Sequence, residues 1–195
     1  MKISGGIAKG RKTATKGVFS KALKGKELRP TSSKVREALF DIIKDEIKGS
    51  SFVDLYAGTG TVGLEALSRG AGKTVFVEPN KLRARAIKDT AVKFGFRDKA
   101  TVVERKAGEF LKKASTQKEG FDIFFLDPPY FSEEIMRTLP MIAEKIVLNQ
   151  GGMVIVEHFV KKKLPERVGK LKMIRGYVYG DTVLTIYKEE ERQKQ

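Results

Sequence analysis

Apolar and polar positions alternate along most of this chain in blocks that suit strands and helices in turn. Five short runs rich in Val, Ile and Phe are typical of buried strands: 51–56, 73–78, 100–105, 121–127 and 151–157. Four segments between or beside them have apolar residues at helical spacing: 61–69, 80–94, 107–113 and 133–148. This alternation predicts an α/β fold in which helices cover both faces of a mostly parallel sheet.

Two more strands are predicted near the end of the chain, at 171–178 and 182–187. Only the short turn Gly180-Asp181 lies between them, so they must pair antiparallel, because a parallel pair needs a longer crossover. The sequence therefore predicts a seven-stranded, mostly parallel sheet that ends in an antiparallel hairpin. This is the Rossmann-like arrangement found in methyltransferases that use S-adenosylmethionine (SAM).

One further helix is predicted before the first strand. Arg29-Pro30-Thr31-Ser32-Ser33 is a helix-start signal, and apolar residues follow at helical spacing from Val35 to Ile47, before Gly49 ends the pattern. Pro140 lies inside the predicted helix 133–148, where it predicts a kink or a break.

The composition fits one core with a basic extension. The chain has 195 residues, is 41% hydrophobic and carries a formal charge of +15, of which residues 1–36 hold eight Lys and three Arg against Glu27 alone. We interpret residues 1–28 as a basic, RNA-binding extension that forms a small β-hairpin, 29–189 as the main domain, and 190–195 as a polar tail. A solvated basic tail that only aids solubility is the alternative.

The absence of cysteine excludes disulfides, zinc fingers and thiolate catalysis. With His158 as the only histidine, we predict no metal site, and we interpret His158 as a partly buried structural residue. No apolar run approaches the thickness of a bilayer and the basic N-terminus lacks the apolar region of a leader, so we expect a cytoplasmic protein.

A glycine loop follows the first strand. Gly58-Thr59-Gly60-Thr61-Val62-Gly63 satisfies G-x-G-x-x-G, a pattern that lets a ligand approach the backbone, although a tight turn without ligand can have the same residues. Glu78 ends the next strand, where a carboxylate can accept the hydroxyls of a ribose, which suits NAD and SAM alike. Asp54 opposes a pyrophosphate but suits the ammonium of a methionyl group. The loop therefore favours SAM, unless Asp54 merely caps it.

Asp127-Pro128-Pro129-Tyr130 follows the most apolar strand. The Asp127 carboxylate and the Pro128 carbonyl, held by two restricted residues, can accept both N–H bonds of a planar amine and expose its lone pair. The Tyr130 ring can stack on a nucleobase. These four residues predict methylation of an exocyclic nucleobase amine, whereas the tetrapeptide alone also suits an ordinary rigid turn.

Several segments together resemble the RsmD-type family of bacterial 16S ribosomal RNA guanine-N2 methyltransferases. They cover nearly the whole chain in order: Ile3-Ser4-Gly5-Gly6, Lys9-Gly10-Arg11, Arg29-Pro30-Thr31, Arg36-Glu37-Ala38-Leu39-Phe40, Asp54 to Ala71, Val77-Glu78, Asp127 to Tyr130, and Tyr179-Gly180-Asp181-Thr182. The resemblance implies methylation of a guanine N2 in small-subunit ribosomal RNA, with SAM as the donor. Family members usually have Asp-Ala after the third strand to contact the adenine of SAM, where this chain has Lys106-Ala107.

The residues and the resemblance together predict three sets of site residues. The catalytic set is Asp127, Pro128, Pro129 and Tyr130. The cofactor set is Asp54, Tyr56, Ala57, Gly58, Gly60, Gly63 and Glu78. The RNA-binding set is Lys9, Arg11, Lys12, Arg29 and Arg36. Two alternatives stay open: an adenine-N6 methyltransferase, and a non-catalytic RNA-binding factor of ribosome assembly. We expect a monomer that binds ribosomal RNA, either free or in an assembling subunit.

Overall fold

A computed structural model describes residues 1–13, 32–129, 132–144 and 147–190. The chain divides into two compact units, Met1–Ala107 and Gly108–Gln195. In the described ranges, helices are too short or too polar to cross a lipid bilayer.

The first unit contains three parallel strands with helices between them. Its elements are helix α1 (Ser33–Ile42), strand β1 (Ser51–Asp54), helix α2 (Thr61–Ser68), strand β2 (Lys73–Val77), helix α3 (Lys81–Phe94), a 3₁₀ turn (Arg97–Lys99) and strand β3 (Ala100–Val103). The strands lie in the order β3-β2-β1. All four residues of β1 are buried, as expected for a strand covered on both faces.

The second unit contains one parallel pair and a run of antiparallel strands. Its elements are helix α4 (Ala107–Thr116, whose first residue belongs to the first unit), strand β4 (Phe121–Leu126), helix α5 (Glu134–Glu144) and strands β5 (Leu148–Phe159), β6 (Arg167–Val168), β7 (Leu171–Tyr179) and β8 (Thr182–Glu189). The order is β4-β5-β8-β7-β6. β4 and β5 are parallel, and the other neighbouring pairs are antiparallel.

The predicted closing hairpin is confirmed. β7 and β8 pair antiparallel around Gly180, whose φ of +61° suits a residue without a side chain. The described residues contain eight strands rather than seven, because β6 is only two residues long and gives no pattern in the sequence. Of the kink or break predicted at Pro140, the break is wrong, because α5 continues through Pro140 to Glu144. β5 begins at Leu148, the last residue of the predicted helix.

Helix α1 begins where the sequence predicts. Ser32 is its N-cap, and the Ser32 hydroxyl accepts the N–H of Val35 at 3.2 Å. Leu39, Phe40 and Ile43 are buried, and the Phe40 ring packs on Phe52 of β1 with centroids 6.4 Å apart. In the second unit, the rings of Phe110, Phe121 and Phe124 form a comparable aromatic core.

The N-terminal segment, residues 1–13, folds back on itself and packs along α2. Its one β-bridge joins Lys2 and Lys12, so the described part of the predicted hairpin is minimal, and residues 14–28 of the extension lie outside the described residues. Ile3 and Ala8 are buried. The Ile7 N–H donates to the Ser68 carbonyl at 2.8 Å, which fastens the segment to the last turn of α2.

Candidate active site

The glycine loop joins the end of β1 to the start of α2. Gly58 and Gly60 have φ values of +52° and +69°, which residues with side chains rarely adopt. A Cβ added to Gly58 would meet nothing closer than the Tyr56 carbonyl oxygen at 3.8 Å, so the space above this residue is open. The loop therefore leaves its backbone accessible at the point where α2 begins, as a bound ligand requires.

The third glycine of the loop has a different purpose. A Cβ on Gly63 would lie 2.3 Å from Cε1 of Phe76, which is on β2. Gly63 thus allows helix α2 to approach β2 closely, the use that the G-x-G-x-x-G pattern makes of its last glycine. A larger residue here would push α2 and its N-terminus away from the strand.

Asp54 lies at the end of β1, beneath the glycine loop. The residue is buried, and its carboxylate accepts the N–H of Gly63 at 3.0 Å. Because the N-cap Gly60 has no side chain to satisfy the first turn of α2, Asp54 supplies the acceptor instead. The capping role considered from the sequence is therefore present in the structure.

Glu78 follows β2 directly and is buried beside the glycine loop. Its carboxylate accepts the N–H groups of Gly58 at 3.0 Å and Asn80 at 2.8 Å, and it pairs with Nε of Arg83 at 3.1 Å. Burial raises the pKa of Glu78, and these partners offset only part of that effect. Glu78 is therefore a carboxylate held in an environment that does not fully compensate its charge.

Asp127, Pro128 and Pro129 follow β4 in the second unit. Asp127 is half-buried, Pro128 is buried and Pro129 is exposed. The Pro129 carbonyl accepts hydrogen bonds from both the N–H and the hydroxyl of Ser132, at 2.9 and 2.7 Å. Tyr130, the fourth member of the predicted catalytic set, lies outside the described residues.

The N-terminal segment presents a group of cations at the C-terminal end of α3. The Arg11 guanidinium lies 4.4 Å from the centroid of the Phe94 ring and donates to the carbonyls of Lys93 and Phe94, where a positive charge complements the helix dipole. Lys9 and Lys12 are exposed nearby on the same segment. Among the described residues, none of these three cations has an ion-pair partner.

Arg36 requires a correction to the predicted RNA-binding set. Its side chain is 1% exposed and its Nε donates to the buried Glu65 carboxylate at 2.6 Å, while a second nitrogen donates to the Lys2 carbonyl at 2.8 Å. A guanidinium in this position cannot reach a phosphate, so its role is structural. Arg29, the remaining member of the set, lies outside the described residues.

His158 lies on β5 and makes two local hydrogen bonds. Its ring nitrogens are 3.0 Å from the Phe159 carbonyl and 2.8 Å from the hydroxyl of Thr185 on β8. Burial lowers the pKa of His158, with a further contribution from the charge of Lys162. These contacts explain its burial and agree with the structural role predicted for it.

Three polar residues that contact the predicted site residues or the segments beside them are not among the residues predicted from the sequence: Asn80, Arg83 and Lys162. Asn80 caps α3 by accepting from Leu82 and Arg83, and Arg83 neutralises part of the Glu78 charge. Lys162 donates to the Ser132 carbonyl at 2.7 Å. The Asn80 cap follows from the N-cap preference for Asn, but the partners of Arg83 and Lys162 become visible only in the folded chain.

Comparison with known proteins gives consistent relatives over most of the chain. The family model described as conserved hypothetical protein 95 matches residues 1–188. Ribosomal RNA small subunit methyltransferase D of Escherichia coli is 32% identical over 165 residues, which are 84% of this chain and 80% of that protein. The Bacillus subtilis protein YlbH is 36% identical over 174 residues, which are 89% and 95% of the two chains.

Solved structures share the fold. The Escherichia coli protein yhhF has a TM-score of 0.81 and 26% identity, covering 98% of this chain and 99% of that one. An RNA methyltransferase from Salinibacter ruber, in complex with S-adenosyl-L-homocysteine, has a TM-score of 0.62 and 16% identity, covering 86% and 97%. The predicted Rossmann-like methyltransferase fold is thereby confirmed.

Proposed function

The chain belongs to the family of RsmD-type methyltransferases, and from this premise we propose that it transfers a methyl group from SAM to the N2 amine of a guanine in small-subunit ribosomal RNA. The observation that carries the proposal is the position of Asp127 and the buried Pro128 directly after β4. A carboxylate and a fixed carbonyl at that point suit a planar amine with two N–H groups.

SAM is the methyl donor in this proposal, and the first unit supplies the residues that would hold it. The open space above Gly58 fits close approach of a ligand, and the buried Glu78 carboxylate has oxygen lone pairs for ribose hydroxyls. Asp54 suits the ammonium of the methionyl group, with Tyr56 and Ala57 lining the loop. When bound, SAM supplies an electrophilic methyl group on a sulfonium sulfur.

The residues after β4 prepare the amine for attack. The lone pair of a guanine N2 is delocalised into the ring, which makes the nitrogen a weak nucleophile. Asp127 and the Pro128 carbonyl accept its two N–H bonds, which favours a pyramidal nitrogen with its lone pair directed away from them. The Tyr130 ring would stack on the base, and Asp127 would accept the proton that the nitrogen releases after it gains the methyl group. Positioning supplies most of the rate.

In this proposal, positively charged residues of the N-terminal segment bind the phosphates of the RNA. Lys9 and Lys12 are exposed on a segment whose backbone is hydrogen-bonded to α2, so the backbone that carries their side chains is held in place. Arg11 has part of its donor capacity committed to α3, and we assign it to organising this surface and contacting phosphate with its remaining N–H groups. Arg29 contributes from the rest of the basic extension. We propose that the chain acts on ribosomal RNA in the cytoplasm and as a monomer.

Adenine N6 is the second candidate target, because Asp-Pro-Pro-Tyr accepts that amine by the same contacts. Labelled SAM, incubated with small ribosomal subunits from bacterial cells that lack the corresponding methyltransferase, distinguishes the two after digestion to nucleosides. N2-methylguanosine supports the proposal, and N6-methyladenosine replaces its target. Absence of both label and SAM binding by calorimetry would favour a non-catalytic RNA-binding factor.

Asp127→Ala is the matching test of mechanism. Loss of an essential acceptor predicts a fall in the methyl-transfer rate of at least about 100- to 1,000-fold, by analogy with the loss of one transition-state hydrogen bond. SAM affinity should change little, because the proposed cofactor residues lie in the other unit. Asp181→Ala, which removes an exposed carboxylate from the β7–β8 turn, is the control. Wild-type rates in the Asp127 variant would refute this assignment.

A further inference from the structure

Lys162 differs from the two lysines beside it in the sequence. Lys161 and Lys163 are exposed, whereas the Lys162 side chain is only 17% exposed. Its backbone is fixed after the end of β5, because the Lys162 N–H donates to the Phe159 carbonyl at 2.9 Å. The backbone of Lys162 is therefore held in place, and its ammonium group points into the protein rather than into solvent.

The Lys162 ammonium is directed at the segment that follows the Asp-Pro-Pro motif. Nζ lies 2.7 Å from the Ser132 carbonyl oxygen and 3.6 Å from Oε1 of Glu133. A partly buried ammonium requires such acceptors, and hydrogen bonds made by a charged donor are about twice as strong as neutral ones. Lys162 thus holds a backbone carbonyl thirty positions earlier in the chain.

Ser132 passes this restraint to the motif itself. Its N–H and its hydroxyl both donate to the carbonyl oxygen of Pro129. The backbone at Ser132 is therefore fixed on both sides, by Pro129 through its donors and by Lys162 through its carbonyl. Pro129 is bonded directly to Pro128, whose carbonyl is an acceptor in the proposed amine site.

We propose that Lys162 is a positioning residue for methyl transfer, fixing the loop after β4 through Ser132 and Pro129. The inference rests on the proposed function, in which this loop holds the Asp127 carboxylate and the Pro128 carbonyl at the amine. Lys162 does not touch the reacting atoms. Without it, the Ser132 carbonyl loses its charged donor, while the two prolines and the Ser132–Pro129 bonds remain.

The expected effect is on turnover rather than on binding. A displacement of about 1 Å at a reacting group can reduce the rate roughly 100-fold, so Lys162→Met should lower kcat by about 10- to 100-fold. The KM for small ribosomal subunits and the affinity for SAM should stay within about twofold. Lys162→Arg, which keeps the charge and the donors, should restore much of kcat.

The experiment measures kcat and KM for the wild type, Lys162→Met, Lys162→Arg and the matched controls Lys161→Met and Lys163→Met. A fall in kcat confined to Lys162→Met and reversed by Arg supports the inference. Unchanged kcat in Lys162→Met would overturn it. A rise in KM shared by all three lysine-to-Met variants would also overturn it, since that result means phosphate contact.

Hydrogen–deuterium exchange keeps this test separate from the proposed function. Peptides that contain Ser132 and Glu133 should exchange faster in Lys162→Met than in Lys163→Met, whether or not RNA is the substrate. If the wild type transfers no methyl group but this difference is present, the proposed function fails and the restraint stands. Equal exchange in the two variants would overturn the positioning role, and a thermal melt of each variant verifies that it is folded.

Discussion

Glu65 and Glu78 are both buried glutamates of the first unit, one on α2 and the other after β2. Ser4 donates to Glu65 through its N–H and its hydroxyl, and the equally buried Arg36 adds a charged bond. Glu78 has two backbone donors and Arg83, whose side chain is 18% exposed. Both carboxylates thus have several partners, but only that of Glu65 has its principal cation fully buried beside it.

The pKa values of the two glutamates move in opposite directions. Burial alone would raise the pKa of Glu65, but the hydrogen bonds from Ser4 and Arg36 and the charge of Arg36 outweigh it, so the pKa is lowered. Burial raises the pKa of Glu78 despite its partners. A compensated carboxylate stabilises the fold, whereas an incompletely compensated one keeps capacity for a ligand. The difference shows that burial alone does not decide how far the charge of a carboxylate is compensated.

Among the variants that test the difference between Glu65 and Glu78, Arg36→Met should have the largest effect, on the free energy of unfolding. It removes the fully buried cation of Glu65 and releases the Lys2 carbonyl, whereas Arg69, whose Nε donates to the other Glu65 oxygen at 3.1 Å, still compensates part of the charge. We therefore expect a loss of up to about 3–5 kcal/mol in the free energy of unfolding. Urea unfolding measures the loss. Arg137→Met breaks the exposed pair with Glu134 and should cost only about 0–1 kcal/mol. A similarly small loss for Arg36→Met would show that Glu65 does not depend on it.

The sequence does indicate that Arg36 is buried, although its positive charge suggests a surface residue. Arg36 shares a helical face with Phe40, Ile43 and Ile47, at spacings of four, seven and eleven residues, so the pattern places it on the buried side. Its partner Glu65 lies 29 positions away, and no local rule pairs the two. The strongly basic segment around Arg36 favours RNA binding, whereas the position of this residue on the helix indicates the core.

The parts of the site that could be predicted from the sequence are those formed by residues close together in the chain. The glycine loop and Asp54 lie within ten positions, and the turn needs only their local conformations, so motif and structure agree. The loop after β4 could be predicted from the sequence only in part. Its prolines are visible in the sequence, but the contact from Lys162 depends on where β5 ends, and nothing distinguishes the middle lysine of three before the chain folds.

Glu78→Gln tests the other glutamate, and we expect a smaller effect, on the affinity for SAM. The amide keeps the shape but would lose the charge-assisted bonds that we propose for the ribose hydroxyls, which predicts SAM binding weaker by about 10- to 100-fold, the equivalent of one charged hydrogen bond. The unliganded protein should also lose about 1–3 kcal/mol in the free energy of unfolding, because the amide has one acceptor oxygen and the N–H of either Gly58 or Asn80 loses its partner. Calorimetry measures affinity, and Glu104→Gln, an exposed carboxylate beyond β3, is the control. Unchanged affinity would remove Glu78 from the cofactor set.

The smallest effect is a difference in pH dependence between the two glutamates. The lowered pKa of Glu65 contributes stability that is present above the usual pKa near 4.5 and is lost as the pH falls through the folded value. The raised pKa of Glu78 has the opposite sign: its contribution is complete below 4.5 and is lost as the pH rises through the folded value. Urea unfolding of wild type, Glu65→Gln and Glu78→Gln from well below pH 4.5, where the Glu65 contribution is lost, up to about pH 7 tests this linkage.

Glu65→Gln should therefore lose most stability, relative to wild type, at the upper end of that range, and the loss should shrink towards the acid end. Glu78→Gln should gain relative to wild type as the pH rises, because only the wild type then carries a buried charge at this position. Parallel pH profiles for the two variants would mean that both carboxylates are equally compensated in the folded chain. In that event the distinction between a structural and a ligand-binding glutamate would have to rest on SAM affinity alone.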